Sequence, residues 1–68
     1  MKTLWTLDCQ DEDFDRWTCN YFLEKPKADH PALLGHVSPS DAEKLVAGEA
    51  VWEWDREVTY KLTERPLS

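Results

Sequence analysis

The chain has sixty-eight residues, fourteen of them Asp or Glu and eight Lys or Arg, giving a formal net charge of −6. That length implies one domain, residues 1–68, and a negative chain of this kind is disfavoured as a direct binder of nucleic acid or of an anionic membrane. No stretch approaches the roughly 20 apolar residues of a membrane span, and a patterned hydrophobic content of 41% argues against disorder.

The N-terminal apolar run is too short for the core of a secretory signal and is soon followed by acid. The expectation is a cytoplasmic protein with no membrane contact, its two cysteines reduced by default, with a Cys9–Cys19 disulfide geometrically open in an oxidising setting. The segment Lys2 to Cys9 carries Trp5, Leu7 and Cys9 at alternate positions, and Arg16 to Glu24 carries Trp17, Cys19, Tyr21 and Leu23 likewise. Period two predicts two strands. A hairpin register in which residue numbers sum to 28 sets Trp5 opposite Leu23, Leu7 opposite Tyr21 and Cys9 opposite Cys19, all on one face. The tip of that hairpin is Asp11-Glu12-Asp13-Phe14-Asp15.

Lys25 to Val37 contains Pro26, Pro31 and Gly35 and reads as a connection, with Leu33 and Leu34 expected to plug the core. Ser38-Pro39-Ser40-Asp41 then opens a helix: Ser38 can cap, Pro39 suits the first helical position, and Asp41 complements the positive helix start. Ala42, Leu45 and Val46 make an apolar stripe, and Gly48 is a natural stop, so the helix runs from about Pro39 to Ala47. The last segment alternates Ala50, Trp52, Trp54, Val58, Tyr60 and Leu62 with Val51, Glu53, Asp55, Glu57, Thr59 and Lys61. One long bent strand from Glu49 to Thr63 accommodates this. A hairpin with a three-residue loop Asp55-Arg56-Glu57 is the alternative, but it lacks the Gly or Asn such a loop prefers. A two-residue turn sets Trp54 against Glu57 and is rejected. The predicted fold is α+β: a small antiparallel sheet of three strands, the last long and bent, with one helix on one face, in the order ββαβ.

Catalytic and metal-binding chemistry finds little support. Cys9, Cys19, His30 and His36 are spaced C-x9-C-x10-H-x5-H, without the close cysteine pair of a zinc knuckle. The acidic tip resembles the start of a calcium loop, but Arg16 and Phe22 stand where an EF-hand needs Gly and a bidentate Glu. Cys9 sits among carboxylates that oppose a reactive thiolate. No enzyme, metal or cofactor is expected.

The acid is concentrated instead. Asp8, Asp11, Glu12, Asp13 and Asp15 fall in one stretch without a base, and Asp41, Glu43, Glu49, Glu53, Asp55 and Glu57 in another against Lys44 and Arg56. On a strand, Glu53, Asp55 and Glu57 would project from one face about 6.8 Å apart, a spacing on the scale of successive phosphates. Glu43, Glu49 and the tip acids could extend the row. Phe14, Phe22 and Leu4 fall outside the inward sets and are candidate exposed anchors within an acidic rim.

In size, acidity, Trp-rich packing and lack of catalytic residues, the chain resembles the small acidic phage-encoded inhibitors of bacterial defence, anti-CRISPR proteins among them. The likeness is one of class and carries no shared motif. It implies a phage or mobile-element origin, action in the bacterial cytoplasm, and a basic nucleic-acid-binding target such as a CRISPR–Cas effector subunit. The expected partner surface comprises Asp11, Glu12, Asp13, Phe14, Glu49, Glu53, Asp55 and Glu57, on a monomer or homodimer. The alternative is a general protein-interaction module whose acidity serves solubility.

Overall fold

The computed structural model describes residues 3–66. Strands β1 (Thr3–Asp11) and β2 (Arg16–Phe22) precede helices α1 (Pro31–Leu34) and α2 (Pro39–Val46), and strands β3 (Val51–Glu53) and β4 (Val58–Pro66) follow. All four strands join one antiparallel sheet in the order β2-β1-β4-β3. The expected three strands and one helix in the order ββαβ are thus corrected to four strands and two short helices in the order ββααββ. Lys2, the predicted start of the first strand, lies outside the described residues.

Two phase shifts account for the corrections. In the first hairpin, Trp5↔Phe22, Thr6↔Tyr21 and Leu7↔Asn20 sum to 27, whereas Asp8↔Thr18, Cys9↔Trp17 and Gln10↔Arg16 sum to 26. The register expected from the sequence, with its sum of 28, does not form. The shift leaves Cys19 as the extra residue of a β-bulge, where an unpaired position re-aims the side chains around it. Cys19 turns toward Cys9 and the two form a disulfide with Cα atoms 6.6 Å apart, so the expectation of two reduced thiols is also corrected. Tyr21 moves to the opposite face from Leu7, Leu23 lies beyond the strand and is exposed, and Phe22, expected outside, becomes a core residue at 7% exposure.

The second shift lies at the C-terminal segment. The single long strand is replaced by a hairpin in which Val51 pairs with Tyr60, Trp52 with Thr59 and Glu53 with Val58, joined by a turn over 54–57. This is the register rejected from the sequence; four turn residues, rather than two, accommodate Trp54 and Glu57. Glu57 supplies the left-handed backbone, with φ +56°, that would ordinarily call for glycine. Odd positions of β3 and even positions of β4 therefore share the inner face. Val51, Val58, Tyr60 and Leu62 are buried, while Trp52 and Trp54 are exposed.

The helix expected from the capping signals forms with nearly the expected limits. Ser38 Oγ accepts the Asp41 N–H at 3.3 Å, Pro39 is at the helix start, and Gly48 adopts φ +96° just past the end. Ala42 and Leu45 are fully buried against the sheet face that bears Leu7, Cys9, Tyr60 and Leu62. The short α1, inside the expected connection, is capped by His30 Nδ1, which accepts the Ala32 N–H at 3.0 Å. It buries Leu33 and leaves Leu34 partly outside.

Neither helix covers the other sheet face. There Asp8 accepts hydrogen bonds from Arg65 at 2.9 Å and Thr18 at 3.1 Å, and Arg65 also donates to Thr6 at 3.1 Å. Burial pushes the Asp8 carboxyl upward, but hydrogen bonds from Arg65, Thr6 and Thr18 and the Arg65 charge outweigh it, holding the group below its ordinary carboxylate value.

Candidate protein-docking site at the acidic end

Antiparallel pairing brings the two acidic segments together. Asp11 is the last residue of β1 and pairs with Val58, the first of β4, and Val58 pairs with Glu53, the last of β3. Both hairpins therefore turn at the same end of the sheet. That end gathers Asp11, Glu12, Asp13, Asp15, Glu53, Asp55 and Glu57, seven of the fourteen acids, beside Arg16 and Arg56. Opposed to one another across a sequence gap of about forty residues, they form one negative surface.

The β1–β2 turn is organised by Asp11. Its Oδ1 accepts the N–H groups of Asp13 at 2.9 Å and Asp15 at 3.0 Å. Its backbone carbonyl accepts the Phe14 N–H at 3.1 Å, and its own N–H donates to the Asp15 carbonyl at 3.1 Å. Asp11 thus builds the turn, leaving Glu12 and Asp13 to present charge. Phe14 adopts φ +65° and stands 79% exposed. Phe14 and Glu57 are the described non-glycine residues with positive φ, and each sits in one of these two turns.

The β3–β4 turn uses Glu53 in the same manner: its Oε1 accepts the Asp55 N–H at 3.3 Å. Arg56 folds back toward the helix layer, where its Nη1 donates to Tyr60 Oη at 3.1 Å and lies 3.2 Å from His36 Nδ1. The Tyr60 hydrogen bond raises the Arg56 pKa, with smaller contributions from the Tyr60, Glu53 and Asp55 charges. Burial, then the Arg56 charge, lowers the His36 pKa below its ordinary value. Arg56 is directed to this contact, and Trp54, 75% exposed, stands out from the turn.

The placement of the expected site residues is mixed. Asp11, Glu12, Asp13, Phe14, Glu53, Asp55 and Glu57 converge on one end. Glu49 does not: it precedes β3, whose far end carries the turn, and its N–H donates to the Lys44 carbonyl at 2.9 Å. The even row expected along a strand is corrected, because Glu53 ends β3 and Asp55 and Glu57 lie in the turn. Phe22 is removed as an anchor by burial. Trp54, assigned to the core from alternation, joins Phe14 as an exposed aromatic instead. Among the described residues no three His, Cys, Asp or Glu side chains are grouped to hold a metal ion, and no helix is long and apolar enough to cross a membrane. No family model, characterised protein or solved structure matches this chain.

Proposed function

We propose that this protein is a non-enzymatic inhibitor that docks its acidic end into a Lys/Arg-lined groove of a bacterial nucleic-acid-binding protein, a CRISPR–Cas effector subunit being the type of target. The observation that carries the reading is the meeting of both acidic turns at one end, with Phe14 and Trp54 exposed among them. The carboxylates would occupy positions that phosphates take in the groove and be drawn to it by the same long-range attraction. The mimicry is that of a compact cluster. An exposed ring inside a charged rim is the composition of a binding hot spot. Left-handed backbone at Phe14 and Glu57, sterically unfavourable for residues with a Cβ, suits turns whose side chains matter more than their ease of folding.

The setting proposed is the bacterial cytoplasm, where thiols are generally kept reduced. The acidic end does not draw on the Cys9–Cys19 bond, since both turns are held by local hydrogen bonds to Asp11 and Glu53. The test is capture from bacterial lysate on immobilised protein. A basic partner should be retained at low salt, released at high salt, and displaced by DNA or RNA added in trans. Phe14→Ala and Trp54→Ala should each weaken retention at fixed salt. Retention that neither salt nor nucleic acid affects would favour a general interaction module instead.

A further inference from the structure

We propose that the uncovered face of the sheet binds single-stranded nucleic acid, independently of the acidic end. The chain-wide charge hides this face. It carries Arg16, Lys61 and Arg65 against Asp8, a local balance of 3 − 1 = +2 on a molecule of net −6. Arg65 is engaged with Asp8, but Arg16 and Lys61 form no ion pair among the described residues. These cations line a depression of about 560 Å³ across β2, β1 and β4.

Two rings stand on the same face. Tyr21 pairs with Thr6 on edge strand β2, and Trp52 pairs with Thr59 on edge strand β3, which in turn pairs with Gln10. They are 66% and 50% exposed. Three strand intervals and a four-residue offset separate them, a diagonal of roughly 20 Å at ordinary sheet spacings, the length of a few nucleotides. Cations alone would serve any polyanion, an acidic peptide included. Single-stranded nucleic acid uses the cations and Tyr21 and Trp52 together, its phosphates meeting the first and its unpaired bases stacking on the second. The acidic turns do not close the face to phosphate. Lys61 pairs with Asp8, three residues back from Asp11, about 10 Å along the strand, which is about one Debye length at 0.1 M salt.

The experiment titrates the full chain into fluorescein-labelled dT12 and U12 at 50 mM salt, reading anisotropy and tryptophan fluorescence. Both oligonucleotides should bind and quench. With two phosphates neutralised, affinity should fall along a log–log salt slope of about −1.4, or about sevenfold between 50 and 200 mM. Tyr21→Ala and Trp52→Ala should each weaken binding about tenfold, and Lys61→Glu should weaken it further; all three positions are exposed, and circular dichroism checks that the variants fold. Reversal of Glu53, Asp55 and Glu57 to Lys should leave oligonucleotide binding intact or tighter while abolishing capture of the lysate partner, and Lys61→Glu should do the opposite. The proposal is overturned by no binding at 50 mM salt, by equal binding of a twelve-base-pair duplex, or by binding that folded Lys61→Glu retains. Equal binding of a poly-glutamate peptide, insensitive to Tyr21 and Trp52, would overturn it in favour of an acidic protein ligand.

Discussion

Phe14 and Glu57 hold left-handed backbone that a side chain with a Cβ disfavours by about 1–2 kcal/mol. Replacing either by Gly relieves that strain, partly offset by the greater freedom glycine has in the unfolded chain. We expect Phe14→Gly and Glu57→Gly each to raise unfolding stability by roughly 0.5–1 kcal/mol, measured as a shift in urea midpoint at unchanged slope. Phe14→Gly should at the same time weaken partner capture, since stability and function compete at such a position. Lower stability in both variants would show that the two turns are not strained. The single-residue signals legible in the sequence were those with one physical meaning: Ser38 and Pro39 as a helix start, Gly48 as its stop. A non-glycine residue in the left-handed region gives no such sign: the tip at Asp11–Asp15 was legible from the flanking alternation, but the turn over 54–57 was not. Titration follows the same local logic. The pKa of His36 is lowered, so the folded state favours the neutral ring; its contribution is present above about pH 6.5 and lost as pH falls through the folded value. Asp8 is also lowered, so its contribution is present above about pH 3.8 and lost below. Thermal melts should therefore show stability declining in two stages on acidification, with the first stage absent in His36→Gln.

At the scale of elements, alternation marked the strand-forming segments and the phase of β1 and β4, but it ran β3 and β4 together as one strand and missed the phase of β3 and of the end of β2. A bulge at Cys19 and a four-residue turn at 54–57 each move the apolar set by one position, and a one-residue slip exchanges the faces. Trp52 and Trp54 fall outward and Phe22 inward for that reason, whereas Trp17 keeps the face of its partner Cys9 and is exposed on the edge strand β2. The core closed instead with Val51 and Phe22 beneath α2 and α1, residues that the opposite phase would expose, while Val58, Tyr60 and Leu62 kept the expected inward phase. The bulge is fixed covalently by Cys9–Cys19, whose closed loop spans ten residue steps. Loop-closure entropy alone assigns such a crosslink about 2.5–3 kcal/mol. Reduction, or Cys9→Ala with Cys19→Ala, should lower the unfolding free energy by an amount of that order in urea titration, with added loss from the buried Cys9 side chain. Partner capture by the folded, reduced protein should persist. Its complete loss would mean that the acidic end depends on the bulge, contrary to the local hydrogen bonding of its turns.

For the whole molecule, sequence proximity was a poor guide to surface proximity. The two acidic stretches were visible, but their meeting was not, because it depends on β1 and β4 pairing along their full length from Thr3↔Pro66 to Asp11↔Val58. The same pairing separates Glu49 from the group and leaves a cationic sheet face on an acidic chain. Net charge therefore describes this protein less well than its distribution, and the position of the acids is what docking at the acidic end depends on. Two variants settle it, each carrying three acid-to-Lys reversals and each with formal net charge −6 + 6 = 0. One changes Glu53, Asp55 and Glu57 at the acidic end, and the other changes Glu24, Glu43 and Glu49 elsewhere. Capture of the lysate partner at physiological salt is measured for both beside the unmodified protein, with circular dichroism confirming the fold. We expect the first variant to lose the partner and the second to retain most of it. Equal loss in both would reduce the interaction to overall charge, and retention in both would remove the acidic end as the docking site.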